Sequence, residues 1–432
     1  MPQPILISLS PNTEPDDVQL ALKLLFEKKR WSEGKEISKL EEEFKKYLGV
    51  KPACNASRSD AGRYALSFNG GRTALMAIFD ALGIKRGDEV LLQAFTCNSA
   101  VIPILWKETK PVYVDIDETL NLDPEDLLRK ITPASKAVMI QHTFGWPAKV
   151  DEILEICKKH NLYLIEDCAH SLGAKYKRKF CGTIGDASFF SFGRDKIISS
   201  VYGGMAVTND EKIGERLKNF HERLDFPSNF WIFQQLLHPI LTNYLVLPLY
   251  GFNDLGRLIL ILLQKLNVLS KAVHNKEKKG KIPDYFPKKL PNALAILASN
   301  QFKKLERFNE HRREIAKIYE NELKGKFNLP FSRGNKDREL TFMKYPILVE
   351  NSDKILKEMK KYDIHLDDGW RKSPVVPPDT DLIAMKYQKG SCPKSEKLAN
   401  QILNLPTHIN ITEEKAKKII NILEKICHSQ LE

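Results

Sequence analysis

The chain has 432 residues, of which 42% are hydrophobic and 28% are charged, and its formal net charge is +12. This is ordinary globular composition, with room for one large and one smaller domain. The seven cysteines are scattered without a CxxC pair, which argues against a disulfide framework or a zinc site. Because the first residues also lack a signal-peptide layout, we expect a cytoplasmic protein that holds no metal.

The excess of positive charge suits an anionic partner, or it reflects a Lys-rich solvated surface. Nucleic acid is not an expected partner, because the sequence has neither zinc-finger spacing nor an aromatic RNA-binding signature. Phosphate-bearing metabolites and an anionic membrane face remain open as partners.

The hydrophobic pattern predicts an α/β fold with a mainly parallel sheet. Helical spacing covers 36–48 and 150–160, and another helix opens at NGGRT, residues 69–73. Short β-type runs, each followed by polar residues, lie at 89–93, 111–115, 136–141, 162–167 and 205–209. A helix follows at 211–220. Helical patterns over 291–323 and 352–362 and from 412, with a strand at 344–350, predict a smaller C-terminal α/β domain.

Polar residues at the ends of these strands match the needs of a pyridoxal phosphate (PLP) enzyme. Such an enzyme needs a lysine amine for the cofactor aldehyde, a carboxylate against the pyridine nitrogen, and helix-start amides with hydroxyls for the phosphate. The candidates in chain order are Gly71, Arg72, Asp167, Ser191 and Lys196. From spacing alone, Asp167 could equally be a helix cap, the Gly pair a turn, and Lys196 a surface lysine.

Longer motifs narrow these alternatives. The segments GGRTALMAIFDALGIKRGDEV, LIEDCAHSLGAKYKRKFCGTIGDASFFSFGRDK and GGMAVTND, together with WSEGKEISKLEEEFKKYLGV upstream, resemble the DegT-type nucleotide-sugar aminotransferases, which are fold-type I PLP-dependent enzymes. The resemblance covers most of the chain apart from about 222–284.

The resemblance implies a role for each candidate. Lys196 matches the lysine that bonds to PLP, and Asp167 matches the partner of the pyridine nitrogen. From the residue alone, His170 could be a core histidine, but the resemblance places it beside O3′ of the cofactor. Ser191 and the amides of Gly71 and Arg72 face the phosphate. The implied reaction moves an amino group from glutamate to a nucleotide-linked keto-sugar. The resemblance also implies that the enzyme is a homodimer.

The sequence departs from the family pattern at several places. Cys97 stands where many members carry an aromatic residue that stacks on PLP, and SSVYGG follows Lys196 in place of TTGEGG. Pro287, Lys288 and Lys289 replace an Asn-Tyr-Arg segment that many members extend across the dimer. Two other functions stay open: a PLP-dependent sugar dehydratase, although those enzymes carry His at the lysine position, and a non-catalytic sensor or membrane-associated scaffold.

An apolar stretch at 231–270 has no counterpart in the family. Its apolar runs are shorter than the ~20 residues that a membrane-spanning helix needs, and a Lys-rich segment, 271–281, follows. It is expected to be a helical hairpin buried against the body or a dimer contact, or else a peripheral membrane contact through 231–281. The predicted division is a large PLP-binding domain at 1–221, an apolar and basic insertion at 222–284, and a small domain at 285–432.

Overall fold

The computed structural model describes residues 4–49, 64–252, 254–330 and 337–428. Its β-strands are β1 (Ile5–Leu6), β2 (Tyr64–Phe68), β3 (Glu89–Gln93), β4 (Thr96–Cys97), β5 (Lys110–Val114), β6 (Ser135–Gln141), β7 (Tyr163–Asp167), β8 (Lys175–Tyr176), β9 (Lys179–Phe180), β10 (Ala187–Ser191), β11 (Gly204–Thr208), β12 (Arg338–Glu339), β13 (Lys344–Leu348), β14 (Ile364–His365), β15 (Val375–Val376) and β16 (Ile402–Pro406).

The helices lie before, between and after these strands. They are α1 (Pro15–Phe26), α2 (Glu36–Tyr47), α3 (Gly71–Ala81), α4 (Asn98–Trp106), α5 (Pro124–Lys130), α6 (Val150–Lys159), α7 (Glu211–Glu222), α8 (Asn229–Leu241), α9 (Leu255–Lys265), α10 (Asn292–Phe302), α11 (Leu305–Leu323), α12 (Ser352–Lys360), α13 (Pro393–Gln401) and α14 (Glu413–His428). The single helical pattern expected over 291–323 is therefore two helices, α10 and α11.

The central sheet has the order β2-β11-β10-β7-β6-β3-β5 among the described residues. The neighbours from β10 to β5 pair in parallel, whereas β11 pairs antiparallel with both β10 and β2. The strands are buried almost throughout, because helices cover both faces of such a sheet. The predicted α/β fold with a mainly parallel sheet is confirmed, and the carboxyl ends of β6, β7 and β10 meet at one edge.

The C-terminal part of the chain has a hydrophobic core of its own. The antiparallel pair β13 and β16 packs with α11, α12 and α14 around apolar residues that include Tyr319, Tyr345 and Leu405. The N-terminal strand β1 joins this part, since Ile5 pairs with Ile364 of β14. The division at 221 and 285 stays a prediction.

The two helices of the predicted insertion differ in their surroundings. Helix α8 starts at a Ser228 cap and buries Trp231, Ile232 and Leu236 against α1 and α10. Helix α9 buries only Gly256 among its described residues, where an added Cβ would lie 2.1 Å from the Val246 carbonyl oxygen. The buried-hairpin expectation therefore describes α8, while α9 leaves apolar side chains on the surface.

Candidate active site

A pocket of about 250 Å³ lies at the carboxyl ends of β7 and β10, beside the first turn of α3. Every residue that the sequence suggested for the site lines it: Gly71, Arg72, Asp167, His170, Ser191 and Lys196. Parallel strands bring these residues together because their carboxyl ends share one edge of the sheet. The position of a residue in this pocket is a structural fact, whereas its role stays a prediction.

Asp167 is the last residue of β7 and is almost completely buried. Its Oδ1 accepts a hydrogen bond from the Ala169 N–H at 2.9 Å. Burial raises the pKa of Asp167 to about 6, although the Ala169 N–H and the charge of Lys196 act in the opposite direction. Such a carboxyl group is poised to pair with a cation that enters the pocket.

Lys196 lies in the turn that follows β10. Its backbone is held there, because its N–H donates to the Gly193 carbonyl and its own carbonyl accepts from the Asn12 amide at 2.6 Å. In the described part of the chain, no group accepts a hydrogen bond from the Lys196 amine. Burial lowers the pKa of this amine, against the opposing effects of Cys97 and Asp167. A lowered pKa favours the neutral amine, which is the nucleophilic form.

His170 packs in an aromatic corner of the pocket. Its ring stacks on Phe144, with centroids 5.6 Å apart, and meets Trp370 edge-on at 4.9 Å. Burial, followed by the charges of Lys196 and Lys344, lowers the pKa of His170 well below its usual value. The Phe144 N–H donates to Nδ1 at 3.3 Å, so the neutral ring carries its proton on Nε2. His170 thus offers one hydrogen-bond donor.

The start of α3 forms the other end of the pocket. Gly71 lies against Ser191, whose Cβ would be 3.4 Å from a Cβ added at Gly71. The first N–H groups of a helix have no partners within the helix, so they favour an anion. The Arg72 side chain turns away to form a buried ion pair with Glu277 at 2.9 Å, and it also donates to the Ala272 carbonyl.

The segment 270–277 forms one wall of the pocket, and we call it the insertion wall. It contributes Ala272 and Val273 to the lining, and the Tyr202 hydroxyl donates to the Lys271 carbonyl. The sequence analysis treated this stretch as part of a basic flank. Its place in the site could not be inferred, because a run of lysines normally indicates a solvated surface.

The C-terminal part of the chain supplies further lining residues that the sequence analysis missed, among them Lys344, Asp368 and Trp370. Lys344 and Asp368 form an ion pair at 2.7 Å, and Asp368 also accepts from the Trp370 N–H at 2.9 Å. Trp370 lines the pocket, while Phe95, the other aromatic near Cys97, is fully buried in the core behind it. The DDGW sequence at 367–370, with its conformationally free Gly, was the available signal.

The residues at the ends of β4 and β6, and those that replace Asn-Tyr-Arg, lie in different places. Cys97 and Gln141 line the pocket, but His142 is buried away from it, bonded to Glu166 at 3.1 Å and accepting from the Ala148 N–H. Lys288 pairs with Asp225 at 3.3 Å and is not part of the lining. In this protomer, the segment that replaces Asn-Tyr-Arg therefore does not reach the pocket.

Comparison with known proteins places this arrangement in a family. The model of the DegT/DnrJ/EryC1/StrS aminotransferase family matches residues 12–223 and 263–424. The chain belongs to this family. The resemblance, the fold type and the dependence on PLP are thereby confirmed. The part left outside the DegT match, 224–262, lies within the predicted insertion and contains α8 and most of α9.

Several DegT-type proteins match nearly the whole chain. GDP-perosamine synthase of Escherichia coli O157:H7 is 29% identical over 399 residues, covering 91% of this chain and 90% of that protein. The dTDP-3-amino-3,6-dideoxy-alpha-D-galactopyranose transaminase of Aneurinibacillus thermoaerophilus is 26% identical over 415 residues, covering 95% of each. Among solved structures, Helicobacter pylori PseC, an aminotransferase involved in the biosynthesis of pseudoaminic acid, superposes with a TM-score of 0.73 at 21% identity, covering 99% of this chain and 100% of that one.

The pocket fits PLP on its own chemistry. The Lys196 amine, which has no partner among the described residues, shares it with a buried carboxyl group, Asp167, and the start of α3 faces the same space. In addition, the buried Arg194 Nε has no hydrogen-bond acceptor in the part of the chain that the structure describes, so the pocket is suited to an anion. When bound, the cofactor supplies an aldehyde carbon that exchanges amino groups and a ring that takes up electrons.

Proposed function

We propose that the chain transfers an amino group from an amino acid, with glutamate as the expected donor, to a keto-sugar carried on a nucleotide. The observation that carries the proposal is the single pocket shared by Lys196, Asp167, His170 and Ser191. The names of the relatives support the substrate class, since two of them act on GDP- or dTDP-linked sugars. Such a product would serve cell-surface polysaccharide or amino-sugar synthesis.

Each side chain has a role that follows from its state. When PLP is bound, Lys196, with its lowered pKa, would hold the cofactor aldehyde and would move a proton to or from the reacting carbon. Asp167 would pair with the ring nitrogen and keep it protonated. His170 would offer its Nε2 proton to the ring oxygen, and Ser191, with the amides of Gly71 and Arg72, would hold the phosphate.

Replacement of the lysine tests this assignment. Wild-type enzyme treated with borohydride should hold PLP covalently at Lys196, and Lys196→Ala should hold none and transfer no amino group. The matched control is Lys158→Ala on the exposed face of α6, which should keep both properties. A covalent label at another lysine in Lys196→Ala would contradict the role.

Assays on the wild-type enzyme also distinguish a transaminase from a dehydratase and from a sensor or scaffold. A transaminase should change the absorbance of its bound cofactor when glutamate is added and should then pass nitrogen to a keto-sugar. A dehydratase would release water from the sugar and leave no nitrogen on it, and Lys196 stands where the related dehydratases carry His. A sensor or scaffold would show neither change.

The location and assembly are part of the proposal. The enzyme acts in the cytoplasm as a homodimer and touches the inner face of the membrane through α9. In the described part of the chain, no helix has both the length and the apolar character to cross a bilayer. Support for a peripheral contact comes from exposed apolar residues on α9 and at its C-terminal cap, which we call the α9 apolar face: Leu255, Leu258, Ile261, Leu262 and Leu266.

A further inference from the structure

Arg194 is a buried cation that lacks a counter-charge. It lies in the turn between β10 and Lys196, and only 7% of its surface is exposed. In the described part of the chain, no carboxylate lies within ion-pair distance of its guanidinium, and Nε has no acceptor. Burial of an ion without a counter-charge is unfavourable, so an anion would stabilise this site.

The guanidinium is nevertheless held in one orientation. Its Nη2 donates to the Ser270 hydroxyl at 2.5 Å, and that hydroxyl donates its proton to Gln235 Oε1 at 2.7 Å. Gln235, fully buried in α8, is fixed in turn because it donates to the Trp231 carbonyl at 2.9 Å. Because Ser270 has a single proton, its oxygen is left to accept from Arg194.

An aromatic ring completes this support. The Arg194 guanidinium lies 5.6 Å from the centre of the Tyr202 ring, and the Tyr202 hydroxyl is bonded to the insertion wall. The groups that orient Arg194 therefore come largely from 231–271, the segment that the sequence analysis could not explain. They leave the remaining N–H groups of Arg194 available to a ligand.

Arg72, which also lines the pocket, is less able to pair with an anion than Arg194 is. Arg72 is already neutralised by Glu277 and bonded to the Ala272 carbonyl and the Ser99 hydroxyl. An anion near the start of α3 would thus find the helix amides, the Ser191 hydroxyl and the Arg194 guanidinium. Phosphate suits this set, because its several oxygens accept both helix amides and the fork of an arginine.

We propose that Arg194 binds the phosphate of the cofactor, and that Ser270 and Gln235 position its guanidinium. This inference rests on the proposed function, since it requires PLP in the pocket. It means that Gln235, from the part of the chain outside the family match, supports a cofactor contact through Ser270, which lies inside the match. Arg194 contacts the cofactor, whereas Ser270 and Gln235 are positioning residues.

The test compares two ligands that differ only in the phosphate. Dissociation constants of cofactor-free enzyme are measured for PLP and for pyridoxal, by titration of the bound chromophore. Arg194→Gln should raise the dissociation constant of PLP about 10- to 100-fold, which is the range for a lost hydrogen bond to a charged group. It should change the dissociation constant of pyridoxal by less than about twofold. Ser270→Ala should show a smaller loss with the same selectivity.

Controls distinguish this inference from its premises. Arg86→Gln removes an exposed arginine far from the pocket and should alter neither constant. Equal weakening of PLP and pyridoxal by Arg194→Gln would overturn the inference, as would unchanged PLP binding with a raised KM for the amino donor. If the wild type binds neither ligand, the proposed function fails instead.

A second variant guards against misfolding. If Arg194→Gln does not fold, Arg194→Lys replaces it, because lysine keeps the charge but loses the arginine fork. Arg194→Lys should weaken the binding of PLP by at least about threefold and leave the binding of pyridoxal unchanged. The expected loss is smaller than for Arg194→Gln, because a hydrogen bond between neutral groups contributes less free energy than one to a charged group. Unchanged PLP binding in Arg194→Lys, together with a raised KM for the donor, would assign Arg194 to the donor carboxylate.

Discussion

Asp167 shows how a single carboxyl group links the cofactor pocket to the stability of the chain. Its pKa is raised to about 6 by burial, whereas an unfolded aspartate has a pKa of about 3.9. The folded chain therefore binds a proton more tightly than the unfolded chain. The stability of the cofactor-free protein should fall as pH rises from about 4 to about 6, because the carboxylate becomes charged in a buried position.

We expect Asp167→Asn to stabilise the cofactor-free protein at pH 8, by on the order of 1 to 3 kcal/mol in the free energy of unfolding. The amide needs no ionisation in the buried site, so the gain should disappear near pH 4. Urea unfolding across this pH range measures it. In the presence of PLP, the same variant should bind the cofactor but transfer amino groups orders of magnitude more slowly. Equal stability of variant and wild type at every pH would contradict the expectation.

At this scale, the sequence predicted the residues that follow the strands of the sheet and missed those that arrive from elsewhere. Asp167 and Lys196 occur in ordered motifs, so their order along the chain already indicated a common edge. Trp370 and Lys344 come from the C-terminal part, and no local pattern relates them to Asp167. Only the packing of that part against the sheet brings them into the pocket.

The insertion wall contains one buried ion pair. Glu277 is completely buried, and its carboxylate faces Arg72 at 2.9 Å. The lysines around it, such as Lys276 and Lys279, point to solvent. Glu277, an acidic residue among these lysines, thus faces the inside of the protein and holds the insertion wall against α3. Removal of one partner would leave an uncompensated charge inside the protein.

Glu277→Ala should lower the free energy of unfolding by about 3 to 5 kcal/mol, the usual cost of breaking a buried pair. The double variant Arg72→Met with Glu277→Leu should recover most of this loss, because no charge remains to be buried. Urea unfolding measures both, with Lys276→Ala as the matched exposed control. Additive losses in the double variant would show that the pair is not coupled.

Hydropathy could not tell α8 from α9. Both helices are rich in Leu and Ile, and a sequence pattern records composition without the partner that covers it. Helix α8 is covered by α1, which lies more than 200 positions earlier in the chain. Helix α9 finds no such cover within the described residues. The expectation of an apolar insertion therefore could not assign a different environment to each of its two helices.

At the scale of the whole molecule, exposed apolar residues and a cluster of lysines are neighbours along the chain. The α9 apolar face precedes a segment, 271–281, that has five lysines and one glutamate, and that glutamate is turned inward. At ~1.5 Å per residue, the 11 residues of α9 reach roughly half of a ~30 Å hydrocarbon layer. A helix of this kind can lie in the interface of an anionic membrane.

We expect Leu258→Glu combined with Leu262→Glu to abolish flotation with anionic liposomes, while the wild type floats and does so less at high salt. Each basic residue near such a surface contributes on the order of 1 kcal/mol, and salt screens that part alone. The matched control, Phe26→Glu with Ile383→Glu, changes exposed apolar residues elsewhere and should still float. If no protein floats and the α9 variant loses its dimer in light scattering, α9 is an interface between copies instead.

Arg72 and the carbonyl of Ala272 are 200 positions apart. At about 5 to 20 residues per second, a ribosome delivers the second partner about 10 to 40 seconds after the first. During that interval, α3 has no counter-charge for its arginine and the pocket has no insertion wall. The pocket is therefore closed on this side only after the insertion wall has been synthesised. A product that ends before the insertion wall still carries Asp167 and Lys196 but lacks one side of the cofactor pocket.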